Sequence, residues 1–371
     1  MDLTGFIDWL GEGGTAAFGG LLIGMAFGIC AQRSRFCLRA AVIEFARGSI
    51  GVKTSVWLLT FGGAVAATQG LIETGWLDVS EARQLAARSS LSGAAIGGAL
   101  FGTGMILARG CASRLLVLSA NGNLRALLSG LIFAVTAQAS LRGILSPLRN
   151  ELAALWAIDG GETADLLAIL GTGAGSGLVF GLLFLAAAVA FAIRARLPLG
   201  RSVAAFCVGL TVAAGWFFTY SLASQAFDPI PLQSMTFTGP SADALMLFLS
   251  PPGGAFDFSI GLVPGVFLGS FLAASSAREL KLEGFRDGQS MRRYIIGAVL
   301  MGFGGMLAGG CAVGAGVTGG SIFAITAWVT LTTIWASAAL TDWLMDRKAE
   351  LAQEQEDSVT PAPESALTLV R

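Results

Sequence analysis

The chain has 371 residues, of which 54% are hydrophobic and only 13% charged, with 51 glycines, no histidine and a net charge of −1. Such a composition cannot cover the surface of a soluble globule, and it offers no basic footprint for nucleic acid. The absence of histidine also removes the commonest general base, metal ligand and proton relay. What remains is a polytopic, all-α membrane protein.

Taken in chain order, nine stretches have the roughly 20 mostly apolar residues that a spanning helix needs. They are 13–32, 52–71, 91–108, 124–143, 174–194, 202–222, 258–276, 294–309 and 320–341. Four others, 36–48, 111–120, 234–249 and 311–319, are apolar but too short or too broken to cross. These four are expected to be short re-entrant or non-spanning helices. Irregular backbone at membrane depth survives only where it is buried in protein or lines a cavity. The first twelve residues carry Asp2, Asp8 and Glu12 but no Lys or Arg, so the first span reads as a retained anchor rather than a signal peptide.

Lys and Arg set the orientation. With the N-terminus outside, 19 of the 23 basic residues fall on inner segments, and only Arg83, Arg88, Arg142 and Arg149 fall outside. The expected topology is N-terminus outside, C-terminus inside. One transmembrane domain is expected over 1–345, with halves at about 13–194 and 202–341, followed by a disordered cytoplasmic tail over 346–371.

Residues 96–112, IGGALFGTGMILARGCA, match 296–312, IGAVLMGFGGMLAGGCA, at ten of 17 positions. The first segment runs inward and the second outward, so the repeat is inverted. Inverted repeats place a substrate site near the midplane, at the ends of discontinuous helices. Small-residue packing would explain the glycines but not the matched Gly–Cys pairs, Gly110–Cys111 and Gly310–Cys311. A weaker match sets SRFCLRAA, around Cys37, beside MTFTGPSAD, around Thr238.

Five cysteines are present: Cys30, Cys37, Cys111, Cys207 and Cys311. There is no CxxC and no His, so neither a metal site nor a cofactor is expected. Cys30 and Cys207 lie within apolar helices and read as small buried hydrophobes. Cys37, Cys111 and Cys311 each stand where a span breaks into a short segment, and Gly110 and Gly310 let backbone approach a ligand closely. Helix N-termini there would present N–H groups to an anion. With thiols and amides but no midplane cation, the site is expected to be soft and nearly neutral. It would suit a polarisable sulfur anion better than phosphate. Arg33, Arg35, Arg39, Arg109 and Arg114 cluster at the inner mouth and read as markers of the inner face, with a role for some of them in drawing the anion inward as the alternative.

Four motifs in order, QRSRFCLRAA (32–41), ARGCASRLL (108–116), SMTFTGPSAD (234–243) and MLAGGCAVGAG (306–316), resemble the YeeE/YedE family of bacterial inner-membrane proteins engaged in thiosulfate uptake. The resemblance implies nine spanning helices, four short ones and pseudo-two-fold symmetry. It also implies thiosulfate passing along Cys37, Cys111 and Cys311, and a small cytoplasmic sulfur-carrier (TusA-like) partner. No catalytic residue is expected. The alternatives are a permease for another sulfur or selenium oxyanion and a membrane-embedded thiol sulfurtransferase.

Overall fold

The computed structural model describes residues 2–173, 175–249, 256–284 and 288–359. Helix α1 (Thr4–Ser34) is interrupted at Gly11, where φ is 72° and ψ 171°, and leads into the short α2 (Leu38–Ala46). Helix α3 (Val52–Glu73) starts under Glu44, whose Oε2 accepts from the backbone N–H of Gly51 and of Thr54. A loop with α4 (Arg83–Ala86) reaches α5 (Leu91–Leu107), capped by the Ser90 hydroxyl, which accepts from the Gly93 N–H at 2.8 Å. The short α6 (Ala112–Ala120) precedes α7 (Leu124–Arg142), capped by Asn123 at 3.0 Å from the Ala126 N–H. These side-chain oxygens satisfy donors that a helix start leaves without a partner.

The connection that follows holds α8 (Ser146–Ala154), a 3-10 turn (Gly161–Thr163) and α9 (Leu166–Ile169). Two two-residue strands, Ser89–Ser90 and Ala157–Ile158, pair antiparallel and tie this connection to the start of α5. The chain continues through α10 (Ser176–Arg194), α11 (Leu199–Ala223), α12 (Thr238–Leu249), α13 (Phe258–Ser276) and α14 (Gly288–Leu307). A π-helical stretch, Ala312–Thr318, runs into α15 (Gly319–Ser321), and α16 (Ile325–Val359) ends the described chain.

Among the described residues, eight helical stretches are long and apolar enough to cross a membrane. Helix α16 is a ninth long helix, made less apolar by its threonines, its tryptophans and Asp342. The protein is therefore an all-α, multi-pass membrane protein, and the four short apolar stretches read from the sequence fold as α2, α6, α12 and the π-helical segment with α15. One expectation differs. The last helix continues to Val359, through residues assigned above to a disordered tail. That stretch, MDRKAELAQEQED, is charged but built from strong helix formers. Residues 360–371 and Arg286 lie outside the described residues.

Helix contacts come in matched sets. Helix α1 packs on α13 as α11 packs on α3; α7 packs on α14 as α16 packs on α5; α2 packs on α3 as α12 packs on α13. Helices α5 and α14 pack on each other across the centre, and so do α1 and α11. The central pair is symmetric residue by residue. A Cβ on Gly97 would lie 2.5 Å from Gly304 O and Ala308 N, and one on Gly297 would lie 2.6 Å from Gly104 O and 2.5 Å from Ala108 N. Each contact maps onto the other at an offset of 200. Lipid tails are as apolar as leucine, so helices here gain by close backbone approach, which glycine permits. Helix α10 has no counterpart in this scheme and packs mainly on α3.

Candidate functional site

Three chain breaks share one local geometry. Helix α1 ends with Phe36 N–H bonding to Ala31 O, α5 with Gly110 N–H to Met105 O, and α14 with Gly310 N–H to Gly305 O. The residue before each of these donors is left-handed: Arg35 and Arg109 at φ 57°, Gly309 at φ 77°. This is the Schellman ending, which usually calls for glycine at the left-handed position. One residue past each donor comes a cysteine in extended conformation, at the N-cap of the next short helix: Cys37, Cys111 and Cys311. The carbonyl of each accepts the first backbone bond of that helix, from Ala41, Leu115 and Ala315 N–H respectively.

A fourth position completes the set. Ser241 N–H bonds to Phe237 O just as Ala41 N–H bonds to Cys37 O, both at 3.2 Å. The hydrogen-bond frame thus aligns Phe237 with Cys37, at the same offset of 200. Thr238, set beside Cys37 in the sequence comparison, is displaced by one residue and opens the first turn of α12.

These positions meet in two pairs. The Cys37 and Cys111 thiols lie within hydrogen-bonding reach of each other, and Ser113 Oγ is 3.4 Å from Cys111 Sγ. Across the pseudo-two-fold, Cys311 Sγ accepts from Gly314 N–H at 3.4 Å and lies beside Thr238 and the Phe237 backbone. Cys111, Cys311 and Thr238 are each 1% exposed, and Cys37 is half-buried. Thr238 Oγ1 is buried and forms no hydrogen bond of ordinary geometry, an unfilled donor beside a thiol. Phe237 packs on Phe27 with the rings tilted by 51° and their centroids 5.2 Å apart, and Phe27 meets Phe36 edge-on at 6.4 Å. Apolar rings therefore lie beside the residues preceding Cys37 and Thr238.

The first pair is not neutral, and here the sequence expectation is corrected. Arg39 and Arg114, read above as face markers, lie close enough to Cys37 to act on it electrostatically. Arg39 Nε and Arg114 Nη1 are buried with no hydrogen-bond partner. Their counterparts in the second half are Gly239 and Gly314, so the two pairs differ in charge. Cys–x–Arg and Cys–x–x–Arg place each guanidinium in the first turn after its cysteine, a spacing that a marker of the inner face shares. Glu44, near Cys37, and Asp342, in the last long helix, are both engaged, Glu44 as the cap of α3 and Asp342 with Arg47 at 3.2 Å. Cys30 and Cys207 face each other between α1 and α11, apart from the four chain breaks.

Comparison with known proteins decides the family. A family model described as sulphur transport matches residues 33–340. The chain belongs to the sulfur-transport family. Among relatives, it is 27% identical over 323 residues to the thiosulfate transporter TsuA of Spirochaeta thermophila, covering 84% of this chain and 93% of that one. It is 34% identical over 119 residues to the thiosulfate transporter TsuA of Escherichia coli, covering 31% of this chain and 34% of that one.

The glycines that precede Cys111 and Cys311 are not equivalent. A Cβ on Gly310 would lie 2.7 Å from the Ala315 backbone N, whereas one on Gly110 would meet the tip of the Leu115 side chain at 3.2 Å. A side-chain tip can move and a helix backbone cannot. Gly310→Ala is therefore expected to reduce transport several-fold more than Gly110→Ala, measured as initial uptake normalised to protein in the membrane. Equal losses would mean that the close approach at Gly310 has no consequence.

Proposed function

We propose that this protein takes up thiosulfate across the bacterial inner membrane, with its N-terminus periplasmic and its C-terminus cytoplasmic. The substrate would pass Cys311 and Thr238 first and Cys37 and Cys111 next. One observation carries the reading: three cysteines, drawn from both halves, head short helices at breaks of one local geometry, Cys37 facing Cys111 and Cys311 lying beside Thr238. The names of the two relatives give the substrate.

A dianion in a dry constriction needs donors at successive depths, because each unpaired polar step costs several kcal/mol. The Thr238 hydroxyl, the thiols and the amide groups at the starts of α2 and α6 can supply them without covalent chemistry. Arg39 and Arg114 add charge on the inner side, and Gly110 and Gly310 set the approach of the backbone. A small cytoplasmic sulfur-carrier protein is the natural acceptor at that face.

The test is reconstituted uptake of sulfur-labelled thiosulfate by the full chain, with sulfate and selenite as competitors. Saturable uptake that equimolar sulfate does not suppress is expected. No uptake above empty vesicles would refute the function, and strong suppression by sulfate would refute the role of the soft terminal sulfur. A second reading, a thiol sulfurtransferase, draws on the contact between Cys37 and Cys111. A protein mass raised by one sulfur atom after exposure to thiosulfate would favour it.

Orientation is tested separately. With 19 of 23 basic residues assigned to the inner side, a reporter fused after Arg371 should be active in the cytoplasm, and one inserted near residue 230 in the periplasm. The opposite pattern would reverse the order in which the thiols meet the substrate.

A further inference from the structure

Each end of the repeat opens into a cavity, and the two cavities are related by the same offset of 200. One, of about 180 Å³, is lined by Ala108, Arg109, Leu115, Arg125, Ala126 and Tyr294. The other, of about 210 Å³, is lined by Ala308, Gly309, Ala315 and Thr326 at the equivalent positions, together with Arg83, Gln84 and Arg88. Both have several times the ~30 Å³ that a water molecule occupies in the liquid. Both are walled by the break that carries a cysteine, Arg109–Leu115 around Cys111 and Gly309–Ala315 around Cys311. On the proposed orientation the first faces the cytoplasm and the second the periplasm.

The repeat does not conserve the charge. Arg109 in the first cavity becomes Gly309 in the second, so the repeat itself brings no cation to the outer end. Arg83 fills that gap from outside the repeat. It sits on α4, in the connection between α3 and α5, and its Nη2 donates to Gly309 O at 3.1 Å. The guanidinium is thus anchored on the residue that replaces Arg109. A guanidinium has five N–H donors in a planar fork, and one bond to a carbonyl leaves the others for an oxyanion.

Among the described residues, no carboxylate lies within ion-pair distance of Arg83, whereas Arg88 has Asp159 at 4.0 Å. Gln84 adds an amide whose Oε1 is buried without a partner. Such an amide can turn either its oxygen or its NH2 toward the cavity.

We infer that the Arg83 cavity is the outer capture site for the transported oxyanion, with Arg83 supplying in trans the cation that Arg109 supplies at the inner end. The inference rests on the proposed function for the identity of the substrate and names the residue that first holds it. A guanidinium without a carboxylate partner at an open cavity concentrates anions by charge and fixes them by paired N–H bonds.

The experiment compares the full-length parent with Arg83→Gln and Arg83→Lys. Glutamine keeps an N–H donor but loses the charge, and lysine keeps the charge but loses the fork. Two readouts are taken: the KM and maximal rate of thiosulfate uptake in vesicles, and binding of thiosulfate, sulfate and selenite to purified protein by isothermal titration. Arg83→Gln is expected to raise KM and weaken binding about tenfold or more, with the maximal rate within about two-fold of the parent. Arg83→Lys should fall between. Raising the ionic strength should weaken binding steeply in the parent and little in Arg83→Gln.

Unchanged binding in Arg83→Gln, or a fall in maximal rate at unchanged KM, would overturn the inference and leave thiosulfate uptake standing. If the parent binds sulfate or selenite but not thiosulfate, the proposed substrate fails. The capture site is then judged on the anion that does bind. A parent that binds none of the three would overturn both.

Discussion

Cys111→Ala in the full chain is expected to cut thiosulfate uptake about tenfold or more, and Cys37→Ala and Cys311→Ala should do the same. A barrier raised by only ~1.4 kcal/mol is already a factor of ten in rate. Removing a donor from a site from which water is excluded costs at least that. The three substitutions are close to silent sterically, since each removes one sulfur from a residue that heads a short helix. Each variant therefore tests the thiol more than the fold.

Cys→Ser at the same positions should recover part of the rate, because a hydroxyl donates but is smaller and less polarisable. Cys30→Ala and Cys207→Ala, away from the four breaks, are expected to transport like the parent. Uptake of labelled thiosulfate, normalised to folded protein in the membrane, is the measurement. Parental rates in Cys111→Ala and Cys311→Ala would reduce these cysteines to packing. Loss in Cys30→Ala equal to that in Cys37→Ala would show that any buried thiol matters.

Gly97→Ala and Gly297→Ala should destabilise the protein by similar amounts. In both, the new methyl would lie 2.5–2.6 Å from backbone atoms of the facing central helix. Overpacking of this kind costs about 1–3 kcal/mol per site. The backbone atoms cannot rotate away, so α5 and α14 must separate along their length. Because the contacts are interchanged by the offset of 200, the two costs should match within the error of thermal unfolding in detergent. Gly130→Ala on α7, where a Cβ would meet nothing within 4 Å, serves as the control and should be neutral or slightly stabilising. A large cost at one position with none at the other would mean that the central helices do not pack as a symmetric pair.

Much of this architecture was legible in the sequence because membrane crossing imposes length and polarity together. The nine apolar runs, and the four runs too short to cross, correspond to the helices found. The Gly–Cys match also located two of the chain breaks, because the pair recurs at the end of each repeated segment where close small-residue packing alone would not require a cysteine. Three things were not legible.

Arg39 and Arg114 could not be told from orientation markers, since a basic residue at the inner face and one reaching back toward a thiol look alike in one dimension. The register of the fourth break was set by backbone hydrogen bonds, which align Phe237 with Cys37, while side-chain similarity favoured Thr238. The continuation of α16 to Val359 was hidden because a run of charges suits a solvated helix as well as a flexible tail. Arg83 is a separate case. Its partner carbonyl, on Gly309, is 226 positions away, and no local pattern links them.

Helix α10 settles a question of parity. The four long helices before it, α1, α3, α5 and α7, return the chain to the side on which it began. A second set of four joined there directly would run in the same sense as the first, and the reciprocal contacts of Gly97 with Gly304 and of Gly297 with Gly104 could not form. One additional crossing starts α11 from the opposite side. Its own surface reflects that limited duty, since only 22% of its apolar length is buried within the protein. What the fold requires of α10 is a single passage, together with the notches at Gly62 and Gly181 through which it lies against α3. An odd count of crossings, rather than any side chain on this helix, lets one chain meet its own second half head to tail.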